Sequence, residues 1–296
     1  MTDRISPTRR VIEIALLIAA TLFAARVARG QQITTPDRVT AGTGATLKTS
    51  GSGSATFYLS GPATAMKKDV TLGESVALAP EDVRDAGRYT AIIRQGGRSD
   101  VRSFFVVPAE PAAVNFLARP SRVPVARQGA ISGVAFVFDA YKNLVIGPAD
   151  VTFSLAVSDA PAVSRAVPAR DGIAFVKLDS GRKAGAAQFV ASAGGAQVRR
   201  VVQQTASDPC NLRFRVQPAR TGVTVETGPI KDCTGNPVPD GTIVTFTETD
   251  GNTRSTVDAR IKRGVARAGL PGAPGATISV ASGVVIGNEV RVRGGQ

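Results

Sequence analysis

The sequence predicts an all-β protein made of tandem β-sandwich modules, on two observations. The first is an internal repeat: Asp139–Phe153 (DAYKNLVIGPADVTF) and Asp232–Phe246 (DCTGNPVPDGTIVTF) align without a gap, 93 residues apart. The second is the frequency of turn-forming residues. The 31 Gly and 18 Pro fall between short β-rich apolar runs such as Ala135–Phe138 and Ile243–Phe246. A period of about 90 residues fits one small β domain, so each copy should have its own core.

The repeat divides the chain into a leader and three modules. A length of 296 residues allows two or three domains of about 100 to 150 residues each. No helical periodicity follows the N-terminus. We therefore expect a leader over residues 1–30 and three sandwich domains over 31–108, 109–205 and 206–296, which we call the first, second and third segments.

The N-terminus is typical of a secretory signal peptide. Arg4, Arg9 and Arg10 precede an apolar stretch, Val11–Ala25, and Ala28–Gly30 supplies small residues at a possible cleavage point. The alternatives are a structural helix or an uncleaved anchor, which would be the only link to a membrane. The apolar stretch is shorter than the ~20 residues that a span requires. The expected location is extracytoplasmic, in the periplasm, on the cell surface or secreted.

Both cysteines of the chain lie in the third segment. If Cys210–Gln217 and Val223–Cys233 form an antiparallel hairpin around Thr221, Cys210 and Cys233 lie opposite each other and form a disulfide. Such bonds persist in exported proteins. Two unpaired buried thiols are the alternative. Two cysteines without histidine do not complete the usual four-ligand zinc site, so no metal is expected.

The charge balance is basic. The chain has 36 Lys and Arg against 23 Asp and Glu, a net charge of +13, of which the leader contributes +3 (five Arg against Asp3 and Glu13). We interpret the scattered basic residues as a solubilising surface, with attraction to an anionic envelope as the alternative. Nucleic-acid binding is not expected, because aromatic residues are 5% of the chain, Trp is absent and the cations do not cluster.

The residue inventory argues against catalysis. The chain has no histidine, which removes the usual activator of serine and cysteine nucleophiles and a common metal ligand. Two carboxylate clusters remain: Glu81, Asp82 and Asp85, and Asp240, Glu248 and Asp250. Acid–base catalysis or a cation site would use such clusters, but their positions beside strands favour solvated turns. We predict a non-enzymatic protein with no catalytic residue, cofactor or metal.

A D-x-G-x-Y string marks the first segment. Asp85, Gly87 and Tyr89 precede the strand-like Thr90–Arg94 and resemble the tyrosine corner of immunoglobulin-like sandwiches, in which the Tyr hydroxyl bonds back to the chain. Ala91 stands where antibody domains have a cysteine, and the central Trp is missing. The resemblance implies a disulfide-free immunoglobulin-like domain in which Tyr89 is structural.

The second and third segments resemble bacterial immunoglobulin-like repeats of the invasin and intimin type. The third segment matches D-x-x-G-N-P-V over residues 232–238 and D-G-T-x-V-T-F over 240–246. The second segment keeps the pattern, with Lys142 and Leu144 in place of Gly and Pro. Asp and Asn favour a tight turn, and alternate strand residues face the core. The residues expected to specify the fold are Asp85, Gly87, Tyr89, Asp139, Asn143, Phe153, Asp232, Asn236 and Phe246.

The resemblance implies tandem immunoglobulin-like domains in an exported protein that acts as a cell-surface or periplasmic spacer and a protein-binding module of adhesion type. One alternative is a periplasmic assembly or carrier subunit that binds a partner by strand addition. Another is a glycan-binding module, for which Tyr141, in the turn after Asp139, is the candidate contact. The expected partner is a protein or a cell-surface component.

Overall fold

The computed structural model describes residues 32–157 and 161–293 and confirms the all-β fold class. Within these ranges the chain forms strands and one short 3-10 helix, Pro80–Val83. It divides into two compact units, one up to Glu110 together with Phe138–Val145, and one made of Pro111–Val137 and the chain from Ile146 onward. The predicted leader, residues 1–30, lies outside the described residues. The division into three domains stays a prediction.

The first segment forms a three-stranded sheet, β1-β3-β6, and a five-stranded sheet, β2-β8-β7-β4-β5. Burial alternates along β4 and β7, as expected for strands with one face on a core. The strands are β1 Gln32–Thr34, β2 Arg38–Thr40, β3 Ala45–Ser50, β4 Ser54–Ser60, β5 Ala65–Thr71, β6 Ser75–Leu78, β7 Gly87–Gln95 and β8 Arg98–Val107.

The second segment repeats this topology. Its five-stranded sheet has the order β10-β16-β15-β12-β13 and its three-stranded sheet the order β14-β11-β9. β10 pairs in parallel with β16, just as β2 pairs in parallel with β8. The strands are β9 Ala113–Arg119, β10 Arg122–Pro124, β11 Ile131–Phe138, β12 Asp150–Val157, β13 Val163–Pro168, β14 Ile173–Leu178, β15 Gly185–Ala193 and β16 Ala196–Thr205.

The third segment has a four-stranded sheet, β22-β21-β24-β25, a three-stranded sheet, β18-β19-β23, and a two-stranded ladder, β17-β20. The strands are β17 Pro209–Cys210, β18 Phe214–Pro218, β19 Val223–Thr227, β20 Lys231–Asp232, β21 Ile243–Asp250, β22 Thr253–Arg260, β23 Arg267–Leu270, β24 Thr277–Ser282 and β25 Val285–Arg291.

Consecutive glycines form the tight turns of the β7–β8 and β15–β16 hairpins. Gly96 and Gly97 join β7 to β8 with φ angles of 55° and 81°, and Gly194 and Gly195 join β15 to β16 with φ angles of 55° and 82°. Two consecutive residues with positive φ define a type I′ turn, whose twist matches that of the flanking strands. The Gly pairs therefore set the register of the longest hairpin in the first segment and in the second segment.

Large aromatic rings are buried in the core of each segment. Phe153, predicted to face the core, packs with Phe116 and Phe189, whose ring centroids are 4.9 to 6.1 Å apart in the three pairs. Phe246 packs against Phe214 at 5.7 Å. All five rings are fully buried or nearly so, which gives the second and third segments a core each. No helix among the described residues is long and apolar enough to cross a bilayer.

Candidate functional site: the repeated Asp–Asn turn

Asp232 organises the turn that follows β20. One carboxylate oxygen, Oδ1, accepts hydrogen bonds from the backbone N–H groups of Thr234 and Asn236, both at 2.9 Å. The backbone of Asp232 bonds to Asn236 at 2.9 Å. Gly235 supplies a φ of 90° at the tip, where a side chain would be strained. The turn is thus built from local bonds to one carboxylate.

Asp139 forms the same turn after β11. Its Oδ1 accepts hydrogen bonds from Tyr141 N at 2.9 Å and Asn143 N at 2.8 Å. Lys142 takes the place of the glycine, with a φ of 69°. Lys142 in place of glycine therefore leaves the turn intact, although a residue with a side chain is held in the left-handed region.

The second oxygen of each aspartate holds the connection from the preceding segment. Asp139 Oδ2 accepts a hydrogen bond from Ala109 N at 2.9 Å. Asp232 Oδ2 accepts one from Ser207 N at 3.0 Å. Both aspartates are almost fully buried, and both divide their two oxygens between turn and connection. The sequence pattern indicated the first of these roles and missed the second.

The asparagine of the third segment reaches back to the second. Asn236 Nδ2 donates to the carbonyl oxygen of Arg182 at 2.8 Å, and Asn236 Oδ1 accepts from the N–H of Ala184 at 2.9 Å. A primary amide presents one donor and one acceptor side by side, which matches the donor and acceptor of a peptide chain. Asn236 therefore pairs with the β14–β15 loop as an adjacent strand would.

The unit that contains Phe138–Val145 has the same amide pairing. Asn143 Nδ2 donates to Arg84 O at 2.8 Å, and Asn143 Oδ1 accepts from Ala86 N at 2.7 Å. We call this set of contacts, an aspartate on turn and connection and an asparagine on an earlier loop, the Asp–Asn bracket. It occurs twice, with the same atoms in the same roles.

The hydrogen bonds stabilise the charged form of Asp232. Burial raises the pKa of this carboxyl, but hydrogen bonds from Thr234, Ser207 and Asn236 outweigh it and lower the pKa from 3.8 to about 2. A carboxylate that accepts several backbone N–H bonds is held ionised in this way. The bracket of the third segment is thus charged at any pH above about 4.

Tyr89 forms the corner of the first segment. Its hydroxyl donates to Asp85 O at 3.1 Å, its ring stacks on Phe104 at 5.5 Å, and burial raises the pKa of the hydroxyl. A Cβ at Gly61 would lie 2.3 Å from the ring, so the β4–β5 turn needs a glycine there.

Removing the Tyr89 hydroxyl is expected to destabilise the first segment modestly. Tyr89→Phe keeps the ring and leaves Asp85 O without this donor, which should lower the free energy of unfolding by about 1 kcal/mol in urea denaturation. Tyr58→Phe, on the half-buried side of β4, is the control and should change the value by less than about 0.5 kcal/mol. Equal effects of the two variants would contradict the corner role of the hydroxyl.

Solved structures with similar folds include bacterial adhesins. The Escherichia coli adhesin FdeC superposes with a TM-score of 0.60 at 18% identity, over 89% of this chain and 96% of that chain. Invasin, a bacterial integrin-binding protein, gives 0.51 at 15% identity, over 88% of this chain and 60% of that chain. InvD of Yersinia pseudotuberculosis gives 0.50 at 12% identity, over 88% and 95%.

The fold is that of the immunoglobulin-like domains of bacterial adhesins. It agrees with the resemblance of the second and third segments to invasin and intimin repeats. No protein-family model and no curated protein matches the sequence. The immunoglobulin-like likeness therefore rests on the fold and on the motifs named above.

Within the immunoglobulin-like fold, Tyr141 packs against the first segment's Gly42. Tyr141 is 40% exposed, but a Cβ at Gly42 would lie 2.0 Å from the Tyr141 hydroxyl. Gly42 also has a φ of 72°. The hydroxyl end of the candidate sugar contact is thus engaged within the unit that contains residues 138–145, which disfavours the glycan hypothesis.

The predicted disulfide between Cys210 and Cys233 is formed, with the Cα atoms 4.9 Å apart. The register of the hairpin differs slightly from the prediction. Pairing within β17–β20 places Cys210 opposite Lys231, so the two cysteines are diagonal neighbours and do not face each other directly. The pairing of β18 with β19 has the same register and centres the hairpin just before Thr221.

In the two acidic clusters, Asp82, Asp240 and Glu248 accept hydrogen bonds from backbone N–H groups. Asp82 accepts from Ala79 N at 2.8 Å. Asp240 accepts from Arg263 N at 2.8 Å, a bond that lowers the pKa of Asp240. Buried Glu248 accepts from Gly272 N at 2.9 Å and Ala273 N at 2.7 Å. Across residues 32–157 and 161–293, no group of carboxylates or cysteines is arranged to hold a metal ion.

Proposed function

We propose that the chain is a non-enzymatic, exported immunoglobulin-like protein that acts as a spacer and protein-binding module of adhesion type. The observation that carries the proposal is the Asp–Asn bracket of the third segment. It joins the second and third segments within one compact unit through Ser207 N, Arg182 O and Ala184 N. All three partners are backbone groups, so these three hydrogen bonds do not depend on the side chains of Arg182, Ala184 and Ser207.

A joint of this kind suits a spacer. Hydrogen bonds on two separate pieces of chain, the connection at Ser207 and the loop at Arg182–Ala184, resist both bending and twisting at the joint between the second and third segments. Ser207 Oγ adds a bond to Val125 O at 2.7 Å. Adhesins with the same fold, FdeC and invasin among them, support an adhesive role for the spacer.

Protease access to intact cells tests the proposed location. If the chain is displayed at the surface, externally added proteinase K should remove it from whole cells, while a periplasmic marker protein stays intact. Cleavage only after the outer envelope is opened would contradict surface display and favour a periplasmic subunit. Detection of the chain solely in the soluble cytoplasmic fraction would contradict export altogether.

A periplasmic subunit that binds by strand addition remains the second candidate, because β13 offers an open edge. β13 ends the five-stranded sheet of the second segment, and most of its side chains are exposed. An edge strand presents unpaired backbone groups on which a partner strand can add. The protease experiment separates this candidate from the surface spacer.

A further inference from the structure

The outer face of the three-stranded sheet β14-β11-β9 is apolar. Leu117 on β9 is 56% exposed, and Phe175 and Ile173 on β14 are 52% and 40% exposed. On β11 between them, the half-buried Val134 and Phe136 pair with Phe175 and Ile173. These five residues form one continuous surface, which we call the β9–β11–β14 face.

The fold does not require an apolar surface at this position. The third segment has the same pair of strands, β19 and β23, where Glu226 lies opposite Arg267 and forms an ion pair with it. Gly172-Ile173-Ala174 recurs as Gly264-Val265-Ala266, 92 residues further on, so Glu226 and Arg267 correspond to Val134 and Phe175. One copy thus places a salt bridge where the other exposes Val and Phe.

The first segment, like the third, has no apolar surface at this position. Its corresponding strands, β3 and β6, pair Thr46 with Ala77 and Lys48 with Ser75, and the exposed sides of these strands are small or polar. Exposed apolar patches that the fold does not need are typical of interaction sites. The difference between the copies therefore points to a contact made by the second segment.

Cations border the face at one end. Lys177 on β14 lies opposite Ser132 on β11, and Ser132 Oγ donates to Arg119 O on β9 at 3.2 Å. Lys177 and Arg119 are both exposed. Neither forms a salt bridge with any carboxylate of the described residues. The next row of side chains beyond Leu117, Val134 and Phe175 is therefore positively charged.

We propose that the β9–β11–β14 face is a protein-binding site for a partner whose apolar contact surface is bordered by Asp or Glu. Apolar side chains at the centre supply the binding energy and charges at the rim set orientation and association rate. Exposed cations at the rim select an acidic partner over a second copy of this chain, whose net charge is +13. This inference rests on the proposed protein-binding function and specifies where that binding occurs.

A matched double variant tests the site. Val134→Glu with Phe175→Arg installs the pair that the third segment already accommodates at the corresponding position, so the fold should be retained in circular dichroism and thermal melting. The probe is a phage-displayed library of random 12-residue peptides, selected on the immobilised wild-type chain. Enriched peptides should combine apolar residues with Asp or Glu and bind the double variant at least about tenfold more weakly.

Two further variants separate the contribution of the rim charges from that of the apolar residues. Arg119→Glu with Lys177→Glu leaves the apolar residues in place and should weaken the same peptides about three- to tenfold at low salt. Val201→Glu changes an exposed apolar residue on β16, in the other sheet, and should leave peptide affinity unchanged.

The outcomes distinguish this inference from the proposed function. Peptides that bind wild type and the double variant equally would overturn the site while leaving a protein-binding function in place. Enrichment of peptides without acidic residues would overturn the partner's chemistry. Self-association of the wild type in light scattering, lost in the double variant, would assign the face to a second copy instead. Failure to select any peptide would count against both the site and the protein-binding function.

Discussion

Replacing Asp232 by alanine is expected to lower the free energy of unfolding by about 3 kcal/mol, measured by urea denaturation with the disulfide intact. The substitution leaves the N–H groups of Thr234, Asn236 and Ser207 without their acceptor in a place that water barely reaches. It also frees the Asn236 amide, which the carboxylate orients at 3.1 Å.

Asp208→Ala is the matched control for Asp232→Ala. Asp208 lies on the same connection as Ser207, but it is exposed and its ion pair with Arg127 is long, at 3.7 Å. Exposed ion pairs of this kind contribute at most about 1 kcal/mol. A loss at Asp232 no greater than that at Asp208 would contradict the bracket as the joint between segments.

Acid should remove the contribution of Asp232 in a defined pH range. The folded-state pKa is about 2, below the ordinary value of 3.8, so the ionised carboxylate stabilises the fold fully above about pH 4 and progressively less as pH falls towards 2. The difference in stability between wild type and Asp232→Ala should therefore shrink by about 2 kcal/mol between pH 5 and pH 2. A constant difference would show that Asp232 acts through its shape alone.

The features that could be predicted from the sequence depend on residues close together in the chain. The alternation around Phe153 and Phe246 has the period of a strand, and both rings are fully buried. The turn at Asp232 depends on a carboxylate that bonds N–H groups two and four residues ahead, and on Gly235 at positive φ. Contacts over so few residues leave a signature in the sequence.

The bracket itself could not be predicted in this way. Asn236 binds Arg182 O and Ala184 N, which are backbone groups more than 50 residues away. Any residue type supplies such groups, so no side chain identifies the partner. The available hint was that Asn recurs in both copies although the turn needs only its N–H. The apolar β9–β11–β14 face was missed for a related reason, because β-rich segments do not reveal which face stays uncovered.

Breaking the disulfide is expected to cost about 3 kcal/mol, as estimated from the loop of 23 residues that it closes. Cys210→Ser with Cys233→Ser should show this loss in urea denaturation, and reduction of the wild type should reproduce it. The ladder that the bond joins, β17–β20, has only two residue pairs, too few to be stable by themselves. The bond therefore holds Pro209–Cys210 beside the Asp232 turn.

This position makes the disulfide and the bracket interdependent. Cys233 directly follows Asp232, so the bond restrains the residue whose carboxylate joins the segments. In a double-mutant cycle, Asp232→Ala should cost less in the chain that carries both cysteine-to-serine substitutions than in the wild type, with a coupling energy of about 1 kcal/mol. Strict additivity would mean that the β17–β20 ladder stays formed without the disulfide. The disulfide would then stabilise the chain only by restricting the unfolded state, and not by supporting the Asp–Asn bracket. Positive coupling would instead make the redox state of Cys210 and Cys233 a determinant of how firmly the second and third segments are held.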